Sequence, residues 1–230
     1  MLTVKNRRYI LAILICMIAA GAHASRSDTI FSYYRKGEHV TYGCIYADAR
    51  KEVCMDMVAD LISQFRGNPD QLFGWAFKGL GRQEGDGNEK NEVLIQLNQA
   101  LYDPSTQIGT LVMDIIVPGL TTFDDVNIES RVTQKDLNDT VSEVSVDIFY
   151  SNSLLKKAYG TFFVTQSSEG GTYLSIDIHI RFGWFFNLFI TQRRYRNIVE
   201  WRTDGFLKNL RDDAERRERA IINEKTKNSL

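Results

Sequence analysis

Asp177 and His179 are the residues whose types and spacing come closest to acid–base chemistry in this sequence. Side chains two positions apart on a strand point to the same face, which would let the carboxylate orient the imidazole for proton transfer. The pair lies in the polar phase of an alternating segment, with Arg181 on the same face. Such a phase is usually the solvated side of a sheet, so we expect a surface cluster rather than a catalytic pair.

No second motif supports catalysis. Neither His39 nor His179 has a serine or cysteine nucleophile beside it in a recognisable motif, and no set of three or four ligands has the spacing of a zinc site. The glycines in residues 79–87 lack the Lys-Ser/Thr of a phosphate-binding loop and follow a helical pattern instead of a strand. The sequence therefore predicts no catalytic residue, no metal and no cofactor, and an enzyme is the less favoured interpretation.

Arg202 is a charged residue on the flank of an apolar helical stripe. At about 100° per residue, Tyr195, Val199, Phe206 and Leu210 share one face of a helix, and Arg202 lies at its edge. An arginine in this position either pairs with a ligand carboxylate or phosphate, or lays its stem on the core with its head in water. The residues alone leave both interpretations open.

The N-terminus has the organisation of a secretion signal. A basic segment (residues 5–8) precedes an apolar run (9–20), and Ala22 and Ala24 match the small-residue pattern that signal peptidase cleaves. The run is shorter than the roughly 20 residues that a membrane-spanning helix needs, although a retained anchor is the alternative. We expect residues 1–24 to be cleaved after Ala24 and the exported product to be periplasmic or secreted.

The charge and length of the remaining chain limit its function. Cleavage would remove three of the 28 Lys and Arg residues and none of the 29 Asp and Glu residues, which leaves a net charge of −4. That balance disfavours a nucleic-acid partner, which requires a concentrated basic surface. The length suits one domain. We expect a flexible lead-in at 25–37, a domain at 38–217 and a charged tail at 218–230.

Cys44 and Cys54 are the cysteines that remain after the predicted cleavage. An even pair in an oxidising compartment is a disulfide candidate, and a loop this short would give a stabilisation of about 2.5–3 kcal/mol if the geometry permits. Two buried thiols are the alternative. The sequence predicts a Cys44–Cys54 bridge.

The period of the apolar residues changes once along the chain. A short strand at 39–46 precedes two segments of helical period, at 49–66 and 69–80. From residue 92 the period is two, clearest at 174–182, which predicts six hairpin-linked antiparallel strands. A long helix then follows at 187–219. The predicted order is β-α-α-β-β-β-β-β-β-α, an α+β fold with a seven-stranded antiparallel sheet.

This order resembles the helix-grip fold of the START/Bet v 1-like superfamily (SRPBCC). The resemblance covers residues 38–217 and rests on element order and on the ending, where the strand that closes at Phe182 passes through an aromatic junction into the helix of Leu210. It implies a curved sheet around the C-terminal helix, with a cavity between them for lipids, sterols, polyketides or aromatic compounds. The family's glycine-rich loop lies between strands, whereas residues 79–87 lie between a helix and a strand, so no phosphate-binding role is carried over.

From this resemblance we expect an extracytoplasmic binding protein for an apolar small molecule or lipid. The candidate ligand-binding residues face inward from the later strands or lie on the helix: Ile148, Ile176, Ile178, Tyr195, Val199, Arg202, Phe206 and Leu210. Two alternatives stay open. One is a ligand-free domain that docks onto an envelope protein or a membrane surface through the apolar segment Trp184–Ile190, by way of Trp184, Phe185, Phe186 and Phe189. The other is a cyclase- or hydrolase-like enzyme on the same fold.

Overall fold

The computed structural model describes residues 28–68, 94–117, 121–151, 155–184, 187 and 190–228. Within these ranges the chain forms eight strands and two helices. The strands are β1 (Thr29–Arg35), β2 (Glu38–Ala47), β3 (Leu94–Asp103), β4 (Ile108–Val117), β5 (Thr121–Asn138), β6 (Val141–Ser151), β7 (Leu155–Gln166) and β8 (Thr172–Phe182). The helices are α1 (Lys51–Gly67) and α2 (Gln192–Asn228).

All these strands join one antiparallel sheet in the order β1-β2-β8-β7-β6-β5-β4-β3. The strands from β3 to β8 pair with their neighbours in sequence, as the alternation predicted, and β2 pairs with β8. The sheet has one strand more than expected, because β1 lies in the segment predicted to be a flexible lead-in. Lys36 and Gly37 have positive φ and form the tight turn that pairs β1 with β2.

The sheet is curved, and both helices lie on its concave face. Helix α1 contacts both β7 and β3, which are separated by three strands in the sheet, so the sheet must bend to bring them to one short helix. Helix α2 packs across β1, β2 and β8 and also contacts α1. This is the predicted α+β helix-grip arrangement, with eight strands instead of seven.

Helix α2 begins and ends later than predicted, and most of the expected charged tail is helical. Its glutamates hold the start of α1, which lacks a side-chain cap of its own. Glu218 accepts hydrogen bonds from the backbone N–H and guanidinium of Arg50 at 3.2 and 2.8 Å, and Glu215 accepts one from the backbone N–H of Asp48 at 3.1 Å. These contacts attach this part of α2 to the start of α1.

Several predicted features lie outside the described residues. They are the secretion signal at 1–24, the second helix at 69–80, the glycine segment at 79–87, and Phe185, Phe186 and Phe189. Within the described ranges, neither helix combines the length and the apolar character that crossing a bilayer requires.

The structure has no disulfide bond between Cys44 and Cys54, contrary to the sequence prediction. Cys44 lies opposite Ser175 of β8, whereas its neighbour Ile45 points to the concave face and belongs to the same buried cluster as Cys54. Adjacent residues on a strand point to opposite faces, so the sheet separates the two sulfur atoms. Burial raises the pKa of the Cys54 thiol to about 11.

Candidate functional site

The concave face carries two separate apolar clusters. The helix-backed cluster joins both helices to β2, β6, β7 and β8, and its buried members are Ile45, Ala47, Ala49, Cys54, Met57, Val58, Val144, Val164, Leu174, Leu207, Leu210 and Ala214. The outer cluster lies on β3, β4 and β5, and its buried members are Ala100, Leu111, Met113, Ile115, Val126 and Ile128. The space between two such clusters is a natural place for a ligand in a curved sheet.

Strand β6 runs from one cluster to the other and exposes a valine between them. Val144, 7% exposed, belongs to the helix-backed cluster, and Ile148 packs against the outer cluster. Val146 lies between them on the same face and is 37% exposed. An apolar side chain that is this exposed on the concave face marks a place that the described residues leave uncovered, which we call the central hollow.

A glycine widens the central hollow on the neighbouring strand. Gly160 of β7 pairs with Val146 on one side and with Ile178 of β8 on the other. A Cβ atom added to Gly160 would have only the backbone oxygen of Asp177 within 4 Å, at 3.9 Å. With Val132 of β5, which pairs with Val146, these residues form an apolar row across the sheet.

The same row ends in hydroxyl groups under the first turns of α2. Ile178 pairs with Thr41, and Thr41 pairs with Ser32. The Thr41 Oγ1 atom is 2.8 Å from Ser32 Oγ and 3.1 Å from the Tyr195 hydroxyl oxygen, which places all three in one hydrogen-bonded group. All three residues are buried, so this group closes the row at the edge of the helix-covered region.

His39 adds an aromatic layer beside these hydroxyls. Its ring stacks on Tyr195 at a centroid distance of 4.2 Å and also contacts Tyr34 and Phe182. Burial lowers the pKa of His39 and raises that of Tyr195 to about 12. Both of these groups are therefore uncharged at neutral pH.

The three candidate residues from the strands lie on the concave face, though not in one place. Ile148 packs against the outer cluster, and Ile176 packs against the helix-backed cluster. Ile178 lies in the row of the central hollow, next to Gly160. Alternation predicted the shared face of these side chains but not their division among the two clusters and the hollow.

The five candidate residues of the helix divide in a similar way. Tyr195 and Leu210 are buried, and Val199 and Phe206 are half-buried. The guanidinium of Arg202 lies over the ring of Trp201, which is 55% exposed. Arg202 itself is half-buried, with a buried Nε atom, at the edge of the face that packs on the sheet.

The sequence missed the residues that fix how closely α2 approaches the sheet. Thr203 and Leu207 are buried and face Gly43 of β2, where an added Cβ would lie 2.9 Å from Thr203 Cγ2 and 2.8 Å from Leu207 Cδ1. Gly43 and Gly160 share the concave phase of their strands. A glycine in that phase is the signal that could have identified a close approach or an open space.

The Asp177–His179 pair forms on the convex face. The His179 Nε2 atom is 3.2 Å from Asp177 Oδ1, and its Nδ1 atom is 3.7 Å from Glu38 Oε2. The imidazole stacks on Tyr159 at 4.4 Å. This cluster lies on the opposite face of the sheet from the central hollow and takes no part in it. Among the described residues, no group of three or more His, Cys, Asp or Glu side chains has metal-site geometry.

The chain matches no protein-family profile and no curated protein sequence. It is similar in structure to a STAR-related lipid transfer protein fragment from Xanthomonas axonopodis, with 13% identity, a TM-score of 0.45, and coverage of 84% of this chain and 96% of that one. It is also similar to the Zhui aromatase/cyclase from a Streptomyces strain, with 10% identity, a TM-score of 0.45, and coverage of 78% and 95%.

A START superfamily protein from Mycobacterium smegmatis is a further structural neighbour, with 11% identity, a TM-score of 0.38, and coverage of 79% and 98%. The neighbours share the START-like fold that the element order of this chain resembles. At identities of 10–13% and TM-scores below 0.5, these similarities carry no information about the function of this chain.

Proposed function

We propose that this chain is an extracytoplasmic binding protein that holds an apolar small molecule or lipid in the central hollow. The observation that carries the proposal is the exposure of Val146 between two buried clusters on one face. Covering apolar surface contributes about 25 cal/mol per Å² removed from water. A ligand that filled the hollow would gain this contribution along the whole apolar row.

Filling the hollow by mutation tests the proposal. Gly160→Leu places a side chain in the open space beside Val146, and the control Thr161→Leu places the same side chain on the opposite face of β7. The probe is N-phenyl-1-naphthylamine, a neutral apolar fluorophore. We expect the wild type and Thr161→Leu to bind it and Gly160→Leu to bind at least about ten-fold more weakly without loss of stability.

Two results would contradict this function. One is a wild-type protein that binds no probe. The other is a Gly160→Leu variant that folds and binds the probe as tightly as the wild type, because the ligand would then lie elsewhere.

The extracytoplasmic location is part of the proposal and is supported by the N-terminal pattern of basic, apolar and small residues. We expect the exported protein to begin at Ser25. The intact mass of protein collected outside the cytoplasm measures this directly. A chain that retains residues 1–24, or one found only in the cytoplasm, would remove the support for export.

Docking onto an envelope protein or a membrane surface is a second candidate function. Trp184 favours it, because its side chain is 78% exposed directly after the last strand. Trp184→Ser should then reduce co-sedimentation with phospholipid vesicles or envelope fractions, whereas Trp201→Ser, a second exposed tryptophan, should not. Equal retention of both variants would argue against this surface.

A further inference from the structure

The described residues that surround the central hollow on the concave face carry no formal charge. Three adjacent cross-strand rows, each running from β1 to β5, contain no Asp, Glu, Lys or Arg. The rows are Ile30, Gly43, Ile176, Phe162, Val144 and Gln134; Ser32, Thr41, Ile178, Gly160, Val146 and Val132; and Tyr34, His39, Ile180, Ala158, Ile148 and Ser130.

The buried polar groups of these rows do not need an ionic partner. Ser32 and Thr41 hydrogen bond to each other, and Thr41 hydrogen bonds to Tyr195. The imidazole of His39 is buried, and burial lowers its pKa. Buried polar groups that are satisfied in this way neither attract nor compensate an ion.

The helix also offers no charge to the hollow from its described side chains that pack on the sheet. Tyr195, Thr203, Leu207 and Leu210 face the sheet. Arg202, at the edge of this face, places its guanidinium over Trp201 at 4.7 Å from the ring centroid. This cation–π contact engages the guanidinium of the half-buried Arg202 on the helix itself.

We infer that the ligand of the central hollow is an uncharged amphiphile, such as a long-chain alcohol, ester or sterol-like molecule, and not a fatty-acid anion or a cationic lipid. The inference rests on the proposed function. An ionised headgroup that leaves water without a charged partner loses its hydration. This desolvation penalty exceeds the favourable free energy of covering the apolar row. A hydroxyl or ester group loses far less on the same transfer.

The test displaces bound N-phenyl-1-naphthylamine with three ligands of equal chain length at neutral pH: dodecanol, dodecanoate and dodecylamine, all below their micelle-forming concentrations. We expect dodecanol to displace the probe at a concentration at least about ten-fold lower than either charged ligand. Arg202→Gln should leave the weak displacement by dodecanoate unchanged.

A charge placed in the hollow provides a second measurement. Val146→Lys should improve displacement by dodecanoate at least about ten-fold relative to dodecanol, because it supplies the missing partner for the carboxylate. The matched control, Ser145→Lys, places the same charge on the convex face, as the strand register shows, and should leave the order of the ligands unchanged.

The outcomes separate the inference from the proposed function. A wild-type protein that binds no probe ends both. If the probe binds but dodecanoate displaces it as well as dodecanol does, only the inference fails. A loss of dodecanoate binding in Arg202→Gln would also overturn it, because Arg202 would then act as an anion partner. Unchanged ligand order in a folded Val146→Lys variant would contradict the placement of the headgroup in the hollow.

Discussion

Two glycines on the concave face, Gly43 and Gly160, have opposite surroundings although only β8 separates their strands. At Gly43 the helix α2 lies so close that an added Cβ would be 2.8 Å from Leu207 Cδ1. At Gly160 the described residues, apart from its two chain neighbours, would bring a single atom within 4 Å, the Asp177 backbone oxygen at 3.9 Å. Gly43 is therefore a packing glycine, and Gly160 borders an open space.

The same sheet face is closely packed in one region and left uncovered by the described residues in the other. In the helix-backed cluster the missing side chain lets a helix approach, and Leu207 fills the space to 0% exposure. In the central hollow no described side chain fills the space beside Gly160, and Val146 stays exposed. Close packing is concentrated in the first region, and the proposed ligand site lies in the second.

The largest expected effect concerns two neighbours on α2. Leu207→Ala should reduce the free energy of unfolding by about 3–4 kcal/mol, because its side chain is fully buried and leaves a cavity. Phe206→Ala should cost only about 2 kcal/mol, the transfer contribution alone, because Phe206 is half-buried. Urea unfolding of both variants measures the difference. A larger loss for Phe206→Ala would mean that the space beside it is filled.

The glycine pair gives the next largest effect. Gly43→Ala should reduce the free energy of unfolding by about 1–3 kcal/mol, because the new methyl group overlaps Leu207 and Thr203. Gly160→Ala should leave it unchanged or raise it by about 0.5–1 kcal/mol, since glycine weakens a strand. The measurement is again urea unfolding. Equal losses at the two positions would contradict the distinction between the regions.

The hydroxyl group at the end of the row predicts a smaller effect. Tyr195→Phe removes the hydrogen bond to Thr41 and should cost about 1–1.5 kcal/mol. Probe binding in the central hollow should be retained, since the hydroxyl group lies beyond Ile178. Calorimetric or chemical unfolding together with probe titration tests both statements. A loss of probe binding at unchanged stability would extend the ligand site to Tyr195.

The smallest effect is a pH dependence from His39. Because burial lowers its pKa, the unfolded chain takes up a proton near pH 6.5 that the folded protein does not bind. The free energy of unfolding should therefore fall as the pH drops below about 6.5. The variant His39→Phe should lose less stability over the same pH range, because it has no imidazole to protonate. Urea unfolding at pH 7.5 and pH 5.5 gives the comparison. Equal pH dependence in both proteins would show that His39 is protonated in the folded state.

The sequence predicted the features that depend on local periodicity. Strict alternation predicted the strands from β3 to β8 and the concave orientation of Ile176 and Ile178, because a period of two decides the face of every residue in a paired strand. Helical spacing predicted α1 and α2 but not the limits of α2 or the contacts by which Glu215 and Glu218 hold the start of α1.

Tertiary structure alone decided the contacts between distant parts of the chain. The sulfur atoms of Cys44 and Cys54 lie on opposite sides of the sheet, although their spacing suited a bridge. The neighbours of Gly43 and Gly160 could not be read from the sequence, because each is set by how far the sheet curves and where α2 crosses it. Local periodicity determined which residues face inward, and the packing of helix on sheet determined which of those positions are filled and which border the hollow.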